Sequence, residues 1–210
     1  MRTMPLPNRV TPYGEIVRAP ERGTLLGNRG RLHRITPDGD PELVRSHRTR
    51  NWLACLLEFN GRRRTVMGPR SYTELFFLDE VTALAAGHRP CAECRNRDLG
   101  RFKRAVGLTA AAQVDQCLAA DRMTAQGTQR TRPMAFAELP EGALFDWQGA
   151  PWLRWHGDVL RWSLGGYRER CADSLAPAEV TVLTPLLTVR ALRAGYVPGV
   201  HPSAEELSRS

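Results

Sequence analysis

The run Gly87-His-Arg-Pro-Cys-Ala-Glu-Cys-Arg95 constrains this chain more than any other stretch. Two thiols three residues apart at the start of a helix face one ion, and backbone N–H groups there stabilise charge on sulfur. Proline before the first cysteine stiffens the turn. Upstream lies ELFFLDEVTALAAG (74–87), apolar nearly all round. That pattern predicts a helix central to the core, opened by Ser71-Tyr-Thr-Glu74 in the S-x-x-E form of a capping box. Gly87 is placed to end it in the left-handed conformation. Cys91 and Cys94 are thus half of a zinc site, and structural zinc takes four ligands.

Five cysteines, at 55, 91, 94, 117 and 171, form an odd set, and the start MRTMPLPNRV carries no apolar leader segment. A disulfide framework is therefore the poorer reading, and metal-bound or buried thiols in a cytoplasmic protein the better one. No window of eighteen apolar residues exists, so no membrane span is expected. A redox Cys-x-x-Cys should follow a strand; here a helix and its glycine stop come first.

Elsewhere the pattern is mixed. Tyr13–Arg18 and Thr24–Gly27 read as short β runs around an Ala-Pro-Glu-Arg-Gly turn, and residues 36–41 read as a loop. WLACLLEF (52–59), Asn60-Gly61 and RRRTVM (62–67) read as a hairpin, because Asn-Gly suits a turn with two positive φ angles. Leu53, Cys55, Leu57 and Phe59 share one face of its first strand, which reads most simply as a core face with Cys55 as a small core residue. A second helix is expected over 91–106, with Leu99, Phe102 and Val106 inward and Arg95, Arg97, Arg101, Lys103 and Arg104 around the rest. A third is expected over 110–123, with Cys117 near its Val114/Leu118 face. Residues 124–134 read as a basic connector. ALFDW, PWLRW and VLRWS then form a β meander holding four of the five tryptophans, and a final helix starts at Thr184-Pro185. The fold class is α+β: N-terminal β-hairpins, central helices carrying a zinc knuckle, and a C-terminal antiparallel β meander closed by a helix. Residues 1–125 and 126–210 form its two regions, which can share one composite core.

VTALAAGHRP (81–90) and VRALRAGYVP (189–198) agree at six of ten positions. Two helix ends assembled from the same parts explain this most simply. A decayed duplication is the alternative, with Gly199 and Pro202 where the first copy has Cys91 and Cys94.

EVTALAAGHRPCAECR resembles the segment of the zinc-binding domain of Ada-type DNA alkyl-phosphotriester repair proteins in which a helix ends in an ALAAGFRPC-x-x-C run, and that of related small zinc modules. The resemblance covers about sixteen residues. It implies Cys91 and Cys94 as zinc ligands and a nucleic-acid setting. The family supplies its other ligands some twenty to thirty residues upstream, where RTVMGPRSYTELF holds neither cysteine nor histidine. The remaining ligands must come from elsewhere. Cys55, the nearest thiol, and His88, three residues before Cys91, rank first, ahead of His33 and His201.

The net charge of +8, with Lys103 the sole lysine, suits contact with a polyanion, and arginine pairs with phosphate through two parallel hydrogen bonds. The leading reading is a zinc-stabilised protein that binds DNA or RNA, acting in DNA repair or processing. Arg62, Arg63, Arg64, Arg95, Arg97 and Arg101 are its candidate contacts. The alternative is a zinc-dependent hydrolase or deaminase-like enzyme acting on nucleic acid or a nucleobase, since Pro-Cys-x-x-Cys also occurs in zinc deaminases. Glu74, Glu80 or Glu93 would be its base. A third reading leaves the cysteines purely structural.

Overall fold

The computed structural model describes residues 4–61, 66–68 and 71–209. Its first half holds β1 (Pro7–Val10), β2 (Ile16–Arg18), β3 (Leu25–Asn28), β4 (His33–Ile35), β5 (Pro41–Leu43), β6 (Leu53–Leu56), β7 (Leu75–Phe77), α1 (Glu80–Ala85), β8 (Arg89–Pro90), α2 (Asn96–Ala105) and α3 (Ala111–Arg122). The second half holds β9 (Arg132–Ala135), β10 (Leu144–Trp147), β11 (Ala150–Trp155), β12 (Asp158–Ser163), β13 (Gly166–Ala172), β14 (Glu179–Val182), α4 (Leu186–Arg193) and α5 (Pro202–Arg209). The class is α+β, with strands at the N-terminus and an antiparallel meander towards the C-terminus.

Two six-stranded sheets carry the architecture. The first runs β2-β1-β7-β3-β6-β8, and the second runs β13-β12-β11-β10-β14-β9; β4 and β5 pair separately. Pairing is antiparallel except between β1 and β7 and between β6 and β8. The meander turns at Gln148-Gly149 and His156-Gly157 have positive φ at both residues, the twist that two-residue hairpins need. Strands β13 and β14 and helix α5 extend what the sequence patterns indicate. So does β9, which occupies part of the expected connector and pairs with β14.

The run 74–87 is not one helix. Leu75–Phe77 is a strand in the middle of the first sheet, where Leu75 and Phe77 are fully buried. An uninterrupted apolar run serves a buried strand or a buried helix equally, so periodicity does not separate them. The cap is Asp79, whose Oδ1 accepts from Thr82 N at 2.9 Å and Thr82 Oγ1 at 2.6 Å. Glu74 instead accepts from Met67 N.

The two helix ends that echo each other use identical hydrogen bonds. His88 N donates to Ala83 O and Gly87 N to Leu84 O, just as Tyr196 N donates to Ala191 O and Gly195 N to Leu192 O. Gly87 and Gly195 have φ of 80° and 88°. Each is the left-handed residue of a Schellman cap.

The interior runs across both halves. Leu84, Phe102 and Leu118 pack with Phe145, Val182 and Leu192. On the other side of the second sheet, Leu78 and Val81 pack with Leu153, Trp155 and Trp162. Buried polar bonds join the same elements. Tyr167 Oη and His201 N both donate to Asp79 Oδ2, and Trp162 Nε1 donates to Thr82 Oγ1.

Candidate metal centre

The thiol site originates in a parallel register. Strand β8 pairs with β6 so that Leu53 faces Arg89 and Ala54 faces Pro90. Arg89 N donates to Trp52 O and Cys91 N to Ala54 O, both at 3.0 Å. The register continued by one residue sets Cys91 beside Cys55. Pro90 lacks an N–H, which an edge strand tolerates. The chain then turns back, with Arg95 N donating to Cys91 O at 3.0 Å. That turn brings Cys94 beneath the end of β6, where its Sγ accepts from Leu56 N at 3.4 Å. The Sγ atoms of Cys55, Cys91 and Cys94 lie within 4.8 Å of one another. Tetrahedral zinc with bonds of about 2.3 Å separates its sulfurs by about 3.8 Å, so a metal ion fits among these three.

Sulfur electrostatics favour a cation. Cys91 is lowered to about 5, first because Cys55 donates to it, then because the N–H groups of Cys94 and Glu93 point at its sulfur. Cys55 is pushed up by giving that hydrogen bond and by burial, and burial also raises Cys94. One thiolate therefore stands ready, and two thiols keep their protons until a metal displaces them.

Cys55 corrects the expectation of a core thiol. The strand ends at Leu56, short of the expected Leu57 and Phe59, and Leu53 and Cys55 on it face an open cleft of about 460 Å³ lined also by Cys91 and Cys94. The core side of β6 belongs to the fully buried Ala54. Alternation divides a strand into two faces without saying which meets the core.

His88 is not a ligand. Its ring packs against Trp52 and Phe77, with centroids 5.2 and 4.6 Å away, and its Nε2 accepts from Arg29 Nε at 3.2 Å. Burial holds it well below the usual histidine range. The bend at Gly87 turns it inward while Pro90 carries the thiols outward. His33 bonds to Thr73 Oγ1 and Gly68 O, and His201 to Ser203 Oγ. Among the described residues, the three cysteines are the only group of at least three cysteine, histidine or acidic side chains with metal-binding spacing. Cys117 is exposed, against the expectation of a core position, although Val114 and Leu118 beside it are fully buried.

Arg95 also departs from the surface role expected for it. It is buried, 2.7 Å from Glu80 and 2.9 Å from Asp98. Glu80 additionally accepts from Tyr196 Oη and Gly199 N, so it stands apart from the cleft and is not a candidate base. Arg97 and Arg101 are exposed on α2 as expected, with Arg101 3.8 Å from Asp98 and over the Tyr196 ring. Arg62, Arg63 and Arg64 lie outside the described residues. Asn60 and Gly61 have φ of 52° and 66°, as the expected hairpin turn requires, while Val66 and Met67 form a turn instead of a return strand.

Of the three candidate bases, Glu74 and Glu93 line the cleft. Glu74 is fully buried; its Oε2 accepts from Met67 N at 2.6 Å and its Oε1 has no partner among the described residues. The cleft therefore combines three sulfur donors with a buried carboxylate in its wall, one oxygen of which lacks a donor among the described residues. No helix among the described residues is long and apolar enough to cross a membrane. Comparison of the chain with protein-family models, curated proteins and solved structures finds no match.

Proposed function

We propose that this protein binds DNA or RNA and that zinc, held by Cys55, Cys91 and Cys94, stabilises the fold that does so, in the service of DNA repair or processing. The charge distribution carries the reading. Among the described residues, four buried arginines (Arg29, Arg89, Arg95, Arg122) are matched by four buried carboxylates (Glu74, Asp79, Glu80, Asp158). Among the described residues the interior is balanced, so their excess of arginine over acid is displayed to solvent, and the chain as a whole carries a net charge of +8, which attracts a polyanion. Zinc suits the thiolate donor set, and a three-residue thiol clasp ties β6 to the start of α2. The test is a salt titration of the zinc-loaded protein against labelled single-stranded and duplex DNA and RNA. Affinity should fall steeply with ionic strength; no binding at low salt ends the proposal.

A second reading rests on the fourth position of the metal. Three protein donors leave one coordination site directed at the cleft, the arrangement of hydrolytic zinc. Glu74, in the cleft wall with one oxygen unpartnered among the described residues, supports it as the acceptor for a proton from water. Replacing zinc by cobalt and following the visible spectrum as inhibitor anions are added tests for an exchangeable fourth ligand. A spectrum indifferent to every added anion removes this reading.

A further inference from the structure

We infer that the groove formed by Arg31, Arg34, Arg45 and Arg48 beside the β4–β5 hairpin is the seat for the phosphates of a bound polynucleotide. The inference rests on the nucleic-acid reading and gives it a location different from the α2 face. These four exposed arginines, with buried His33 and with Val44, line a concavity of about 400 Å³ that no carboxylate lines. Arg34 is paired with Glu42, its Nε and Nη2 each 2.8 Å from Oε2. Among the described residues Arg31, Arg45 and Arg48 have no ion pair, and the residues outside that set include no aspartate or glutamate.

The groove is built, not a chance crowding of side chains. Arg48 N and Thr49 N both donate to Arg29 O, Val44 N donates to Leu32 O, and Thr73 N donates to Gly30 O. Leu32 N donates to Thr73 Oγ1, which also meets His33 Nδ1 at 2.6 Å. The two arginine-bearing segments are thereby locked edge to edge. Gly30 permits the approach: its φ is 93°, and a Cβ there would lie 3.0 Å from Arg48 Cβ and 3.2 Å from Thr49 Cγ2. Arg31, Arg45 and Arg48, on segments held close by backbone bonds and with no ion-pair partner among the described residues, create a field that a row of phosphates relieves. A polynucleotide fits better than a single small anion because the arginines are spread along two segments and all remain exposed.

A short length of chain connects the groove to the thiol cleft. Asn28 lines the metal cleft, and its Oδ1 accepts from Gly30 N at 2.8 Å. Arg31 follows three residues later, so their Cα atoms are at most about 11 Å apart. A strand anchored by its phosphates in the groove brings a neighbouring nucleotide to the mouth of the cleft.

The test compares two triple variants of the zinc-loaded full chain by fluorescence anisotropy with a labelled single-stranded DNA, across a range of salt. R31Q/R45Q/R48Q should reduce the slope of log affinity against log salt by about two to three, as loss of three phosphate contacts does. R97Q/R101Q/R104Q, on the exposed face of α2, should leave the slope nearly unchanged. The reverse result overturns the groove while leaving the nucleic-acid reading standing. Failure of the parent protein to bind any polynucleotide overturns both. Should polyglutamate displace the DNA at equal charge concentration, the groove serves an acidic protein segment and the inference fails. The single reversal Arg45→Glu, at an exposed and unpaired side chain, reports the same direction if the triple variant does not fold.

Discussion

Glu80 and Arg95 meet at 2.7 Å with each side chain only 6% exposed, and their pairing ties the first turn of α1 to the residue that follows Cys94. The knuckle is therefore held from two directions: by sulfur within the cleft, and by a buried ion pair behind it. Tyr196 Oη and Gly199 N complete the coordination of the carboxylate, which carries the connection on into the C-terminal region.

Arg95→Met leaves the Glu80 carboxylate without its cation inside the protein, and breaking a buried pair in this way costs about 3–5 kcal/mol. Urea denaturation should show a loss of that size. Arg101→Met on the same helix, half-exposed, should change stability by less than about 1 kcal/mol.

Metal content should separate the five cysteines. Purified protein should hold about one zinc ion per chain, and Cys55→Ser should lower that stoichiometry as severely as Cys91→Ser or Cys94→Ser. Cys117→Ser and Cys171→Ser should leave it intact, since neither thiol belongs to the cluster. Elemental analysis after exhaustive dialysis reads the outcome. Retention of full zinc by Cys55→Ser would return that residue to a packing role.

Metal binding should release protons. Near neutral pH Cys91, lowered to about 5, is already ionised, whereas Cys55 and Cys94 are raised and still protonated. Capturing zinc at pH 7 should thus expel about two protons, measurable by calorimetry in buffers of different ionisation enthalpy. The sign follows directly: affinity falls as pH falls, and falls more steeply below about 5, where Cys91 also takes up its proton in the metal-free protein.

The two echoing glycines should differ in their tolerance of alanine. Both are left-handed, a conformation costing about 1–2 kcal/mol for a residue with a Cβ. At Gly195 a Cβ would meet nothing within 4 Å, whereas at Gly87 it would come within 2.7 Å of Arg122 Cδ. Gly87→Ala should therefore lower the melting temperature more than Gly195→Ala, because Arg122 must leave its place over Trp52.

Local chemistry in the chain determined a good part of this molecule. The thiol spacing after Pro90, the glycine stops at 87 and 195, the positive-φ turn at Asn60-Gly61 and the tryptophan meander are each dictated by a few neighbouring residues, so they can be read without a fold. Leu75–Phe77 could not be read so, because an uninterrupted apolar run has the same signature in a short central strand and in a buried helix. Only the tertiary structure decided which face of β6 meets the core, since alternation is symmetric until the sheet has a neighbour. That choice turned Cys55 towards Cys91 and Cys94. Likewise, only long-range packing took His88 and Arg95 out of the roles their positions beside the thiols suggested, because desolvation and buried partners act across distances in the chain that spacing does not record.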